Sequence, residues 1–244
     1  MNPWTRATVA AASAALLAAG GLYGARWLAL VVLLLSFVLA IGWPILTWTP
    51  HWIAGSAITL GAGALSVVGV LLGNDEPFLR HMVIALAAST VASLIVEVVY
   101  PSPPGQVVTA VAGTVSGATV AASGAAWIAA ARTPGAQDLV VAGAVTLAIS
   151  AIASVLKTHM GINIAIALTL SVAVGAGSGL VFSSIQWYGG ALVGFLAASS
   201  FIAVHELTRR EVANTSIWAG IASGITPVTV AGALVYIGGR ILVG

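Results

Sequence analysis

Uncharged runs of apolar residues alternate along this chain with short clusters of charge, proline or aromatic residues. The runs cover 7–24, 27–46, 53–73, 82–99, 106–131, 138–156, 162–183, 188–205 and 215–238. Each is long enough to cross a hydrocarbon core of about 30 Å as an α-helix, and none keeps the strict two-residue alternation of a membrane β-barrel strand. The pattern predicts an all-α transmembrane helical bundle of eight or nine spans, in a single domain over residues 1–244.

The most informative run lies between Lys157 and Glu206, 48 residues without one Asp, Glu, Lys or Arg. At about 1.5 Å per residue a single helix of that length would reach roughly 70 Å, more than twice the core thickness. The run must fold back. Ser183, Ser184, Gln186, Trp187, Tyr188, Gly189 and Gly190 in its middle predict the turn of a helical hairpin near an interface. Gly42-Trp43-Pro44 with Trp48, Pro50, His51 and Trp52 predicts a second aromatic turn, as an interfacial belt would supply. Asn74-Asp75-Glu76-Pro77 reads as a polar loop with Pro77 in the first turn of the next segment. Pro101, Pro103 and Pro104 make a stiff turn that no helix continues through. Residues 1–26, with Arg6 and the Ala-rich run 7–19, have the outline of a signal peptide; 7–24 is read here as a retained first span.

Composition agrees with this reading. Hydrophobic residues make up 60% and charged residues 6%, against roughly 25% charged in soluble domains, and mean hydropathy is +1.10. No polar stretch is long enough to fold separately. A formal net charge of +2 is no nucleic-acid footprint. With no cysteine, disulfides, thiolate nucleophiles and Cys-based metal sites are excluded.

The basic residues divide evenly. Nine spans put Arg26, Arg80, Arg132 and Arg240 on one side and Arg6, Lys157, Arg209 and Arg210 on the other, so the positive-inside rule ties. Either one segment does not fully cross, with 138–156 the first suspect, or the halves carry opposite biases. The latter has a further hint. Arg26 and Lys157 are each followed by 48 uncharged residues, ending at Asp75 and Glu206, and each gap contains an aromatic turn. A 4+1+4 grouping would make the halves inverted copies, a transporter habit.

Small residues recur at helix-packing spacing in Gly113 and Gly117, Gly175 and Gly179, Gly190 and Gly194, and Gly220 and Gly224, where they let backbones approach closely. Two features compete with simple packing. Gly175, Gly177 and Gly179 fall within five residues and lower the cost of unwinding mid-span, and Thr226-Pro227 offers a second break because Pro227 removes a backbone donor. Glu97 is the acidic residue deepest in a hydrophobic run, and Ser89, Ser93 and Glu97 share one helix face. A coupling role for Glu97 competes with an interfacial carboxylate, since Tyr100 and Pro101 are within one turn. Thr146, Ser150 and Ser154 form another hydroxyl ladder, expected to bond to their own helix. His205 and Glu206 point about 100° apart on a helix, a poor metal pair. No nucleotide fingerprint, nucleophile elbow or paired catalytic carboxylates appears, so neither an enzyme, a metal nor a cofactor is expected.

Through Gly42-Trp43-Pro44-Ile45-Leu46, the loop from Asp75 to Arg80 and Val111-Ala112-Gly113-Thr114-Val115-Ser116-Gly117, residues 27–132 resemble uncharacterised polytopic membrane proteins of actinobacteria. The resemblance implies a multi-pass protein of the bacterial plasma membrane and transfers no activity. Two functions are expected to compete: a permease-like transporter of a small weakly polar or lipid-like solute, and a non-catalytic accessory subunit of a respiratory or cell-envelope assembly. The partners expected are the lipid bilayer and a second copy or a larger membrane complex, with no nucleic acid.

Overall fold

The computed structural model describes residues 3–73, 76–133, 136–155, 159–182, 184–209 and 216–243. Within them the helices are α1 (Pro3–Tyr23), α2 (Ala25–Leu46), α3 (Trp52–Leu72), α4 (Met82–Val99), α5 (Val107–Ser123), α6 (Ala125–Ala130), α7 (Ala136–Ala153), α8 (Met160–Val181), α9 (Trp187–Arg209) and α10 (Ile217–Val243). Every predicted run has its helix. The run 106–131 is built from α5 and α6, which continue through Gly124 at helical dihedrals of −59° and −30°. Eight of these rods are long and apolar enough to cross a membrane, and no strand occurs among the described residues.

The connections are short for identifiable reasons. Gly24 alone links α1 to α2 at φ 101°, a conformation that a residue without Cβ adopts freely. After α2, the Thr49 amide donates to the Pro44 carbonyl at 2.9 Å and the Thr47 hydroxyl to the Trp43 carbonyl at 3.0 Å, satisfying carbonyls the helix end leaves open. Trp48 projects outward from this turn, as an interfacial anchor should. Pro77 opens a 3-10 turn, Phe78–His81, rather than α4 itself; Asn74 and Asp75 lie outside the described residues. The hairpin of α8 and α9 turns through Phe182 and Ser184–Gln186, with Trp187 as the first residue of α9; Ser183 is not among the described residues.

Contacts between the connections show that successive helices alternate in direction. On the face where α10 ends, Arg240 pairs with Glu76 at 3.2 Å, Arg132 reaches the Val70 carbonyl, and Ser184 donates to Asp138. On the face where α1 begins, His51, Glu97 and Ser102 meet. These are the C-terminal and N-terminal faces below. The helix α7 starts on the C-terminal face at Asp138 and runs antiparallel to α8, with Ser150 opposite Ser171 at 2.8 Å. That register places Ala153 level with about residue 168, so α8 begins roughly 12 Å beyond the end of α7. The segment suspected of incomplete crossing is therefore helical and correctly directed, but it is not among the eight rods long and apolar enough to cross and stops early on the N-terminal side.

Packing runs from α4 at one edge, which touches α3, α5 and the 3-10 turn, to α8 at the other, which touches α7 and α9. Between them lie α2, α10, α6 and α1, with Trp127 of α6 fully buried at their centre. Large apolar side chains such as Phe37, Ile84, Val98 and Leu180 point outward instead, the arrangement expected when lipid is the solvent. The 4+1+4 inverted repeat has no counterpart in this packing. It would pair α4 with α10 and α2 with α8, yet α2 packs along α10 while α4 and α8 do not touch. Equal spacing of charges in two apolar stretches reflects two hairpins of similar length, not equivalent helix faces.

Candidate functional site in the seam of α2, α3 and α5

The helix α3 buries Gly55, Thr59, Ala62, Gly63, Ser66, Val67 and Val70, all small or branched, on one face. Small residues at this spacing bring the helix close to α2 and α5. A Cβ at Gly63 would lie 2.9 Å from Ser36 Oγ of α2, and a Cβ at Gly117 of α5 would lie 2.9 Å from Thr59 Oγ1. Thr59 and Ser36 are 0% exposed and Ser66 is 1% exposed, and none of their hydroxyls has a hydrogen-bond partner among the described residues. The Ser56 hydroxyl, one turn from Thr59 toward the N-terminal face, is in the same state.

These hydroxyls depart from the rule the rest of the bundle follows. Ser89 donates to Ala85, Thr90 to Leu86, Ser123 to Thr119 and Thr226 to Ala222, each into its own helix at 2.7–2.9 Å. A buried hydroxyl without a partner costs about 1–3 kcal/mol. From Thr59 to Ser66 three of them, with Ser36 between, line about 10 Å of the seam.

Polar groups stand at both ends. Toward the N-terminal face, Trp43 lies over Gly117 and donates its indole N–H to the Gly113 carbonyl at 2.8 Å, beside the linked hydroxyls of Thr47 and Thr49. Toward the C-terminal face, the Arg132 guanidinium reaches the carbonyls of Val70 and Leu71 and stacks 4.5 Å from the Phe78 ring centre. Val67 and Val70 close the seam between these ends.

The residues singled out in the sequence do not assemble into one cavity. Glu97 sits at the N-terminal face with its side chain 8% exposed, accepting from Ser102 N at 3.1 Å and Ser102 Oγ at 2.9 Å, with His51 Nε2 at 3.9 Å. It thereby ties the end of α4 to the proline-rich turn that follows. Ser93 is buried and donates to the Thr90 carbonyl at 2.8 Å. Gly175 and Gly179 belong to an unbroken α8, on the opposite edge from Glu97. A Cβ at Gly175 would strike the Gly190 carbonyl, one at Gly179 would lie 2.6 Å from the Gln186 carbonyl, and one at Gly194 would strike the Ser171 carbonyl. Gly175, Gly179, Gly190 and Gly194 are therefore packing residues of the hairpin, whereas Gly177 faces open space.

Thr226 and Pro227 lie inside a continuous, enclosed α10, where the Thr226 hydroxyl bonds back to Ala222. The helix continues through Pro227, and the Thr229 hydroxyl likewise bonds within it, to the Thr226 carbonyl at 2.9 Å. Gly224 seats α10 against Arg6 and Val9 of α1, while the Gly220 carbonyl accepts from Ser223. Thr146 and Ser154 bond within α7, and Ser150 additionally meets Ser171 of α8; Lys157 lies outside the described residues. His205 stacks on Phe201, 5.6 Å between rings, and no group of His and carboxylates able to hold a metal occurs among the described residues.

Sequence reasoning missed Ser36, Thr59 and Ser66. A signal existed in Thr59, Gly63 and Ser66 at i, i+4, i+7, but the partner helix supplying Ser36 has no such spacing to announce it.

The fold and its outward apolar surface define a multi-pass integral membrane protein. No family model matches the chain, and neither a curated protein nor a solved structure similar to it is found.

Proposed function

We propose that this chain is a permease-like carrier of a small, neutral, weakly polar solute in the plasma membrane of an actinobacterium. The path is the seam of α2, α3 and α5. The observation that carries the reading is the column of Thr59, Ser36 and Ser66, whose hydroxyls are buried inside the bundle with no partner among the described residues. Such groups can exchange hydrogen bonds with a passing solute at little cost, because no internal bond has to break. The absence of charge along the seam suits a neutral cargo and offers nothing to an ion. No chemical conversion is involved.

Reconstitution into liposomes tests this. Permeation of small neutral solutes, followed by stopped-flow light scattering, should exceed that of empty vesicles and fall in Thr59→Val and Ser36→Ala. Rates equal to empty vesicles across water, polyols and amides would reject the reading.

A second reading, an accessory subunit of a larger membrane assembly, is favoured by α4. Val83, Ile84, Val91, Leu94, Ile95 and Val98 form an exposed apolar face on this edge helix. Purification from the native membrane in mild detergent, with mass spectrometry of proteins comigrating at fixed stoichiometry, distinguishes the two.

A further inference from the structure

The edge helix α4 and its neighbour α3 flank a groove of about 260 Å³ lined by Leu65, Val68, Leu72, Ile84, Ala88 and His81. Its apolar walls are set at helical spacing, 65-68-72 on α3 and 84-88 on α4, with His81 of the 3-10 turn at the end. From residue 88 to 81 it extends roughly 10 Å along the helix, within one leaflet of about 15 Å. Leu65, Leu72 and Ile84 are exposed, so the groove opens sideways into the bilayer. Gly69 shapes its upper end, since a Cβ there would lie 2.8 Å from the His81 Cβ.

That end is chemically different. His81 Nδ1 is buried and has no hydrogen-bond partner among the described residues. Arg80 beside it is exposed, and Arg132 stacks on Phe78 of the same 3-10 turn. The carboxylate described in this loop, Glu76, is paired with Arg240. The turn thus carries the exposed Arg80 beside His81, whose ring lines the end of an apolar slot. We infer that the α3–α4 groove is a binding site for an anionic phospholipid, one acyl chain lying between Val68 and Ala88 and the phosphate meeting Arg80, past the His81 ring at the end of the groove. Basic pockets between membrane helices recognise anionic head groups in this way. The inference stands apart from the transport path, which lies on the other face of α3.

Native mass spectrometry of the full chain, with added phosphatidylglycerol or phosphatidylcholine of identical acyl chains, tests it. Phosphatidylglycerol should be retained in preference, and Arg80→Gln should reduce that retention roughly fivefold. Ala88→Phe, introduced from an exposed position, should fill the slot and abolish retention, whereas Val98→Phe on the same helix should leave it unchanged. Equal retention of the two lipids overturns the head-group assignment, and undiminished phosphatidylglycerol in Ala88→Phe overturns the site.

Discussion

Trp127 of α6 donates its indole N–H to the Val228 carbonyl of α10 at 2.9 Å, with Gly232 one turn further along directly beneath the ring. Trp43 repeats the arrangement at the Gly113 carbonyl, with Gly117 one turn along. In an α-helix the carbonyl of residue i faces the amide of i+4. Glycine at i+4 removes the Cβ that would cover this carbonyl from the side, so a flat indole can lie on the helix and reach it. Two helix contacts are thereby given a directional hydrogen bond each.

Gly232→Ala tests this geometry. The new Cβ would lie 2.6 Å from Trp127 Cδ1, while the far end of the ring lies against Gly143 of α7, where a Cβ would be only 3.2 Å from it. The ring has no free direction to move. Thermal unfolding in detergent should show a loss of about 1–3 kcal/mol, and Trp127→Phe should lose the hydrogen bond, about 1 kcal/mol, in addition to packing.

The three glycines of the 175–179 segment should respond differently to alanine. Gly175→Ala collides with the Gly190 backbone and should separate α8 from α9, lowering thermal stability by several degrees. Gly177→Ala meets nothing within 4 Å and should be neutral or stabilising, by up to about 1 kcal/mol through helix propensity. Similar losses for both would instead restore an unwound segment as their shared role.

Thr59→Val separates stability from function. Removing a buried hydroxyl that has no partner should leave the melting temperature unchanged or raise it, while solute permeation falls. A marked loss of stability would mean that the hydroxyl is bonded in the membrane-embedded protein.

At Glu97 the expectation is structural. Glu97→Ala leaves the Ser102 amide and hydroxyl without their acceptor and should destabilise by about 1–3 kcal/mol. Glu97→Gln retains an acceptor oxygen and should fold and permeate as the parent does. Abolition of a pH dependence of permeation by Glu97→Gln would return this carboxylate to a coupling role.

The number, order and approximate limits of the helices were legible in the chain, because crossing hydrocarbon demands some 20 apolar residues and turns demand the Gly, Pro and aromatic clusters found between them. The hairpin of α8 and α9 follows from length alone. The place of Glu97 near a helix end follows from the prolines beside it. What these helices face was not legible. In a soluble bundle a polar stripe marks the solvent side, but here lipid and protein interior are both apolar, and Ala, Gly and Val occupy every face. Only the tertiary structure decided that α10 is central and α4 peripheral, that Gly175 packs while Gly177 does not, and that Ser36 meets the Thr59 face. Those choices depend on which backbones approach within contact of one another, and that depends on pairs of helices, not on any single stretch of sequence.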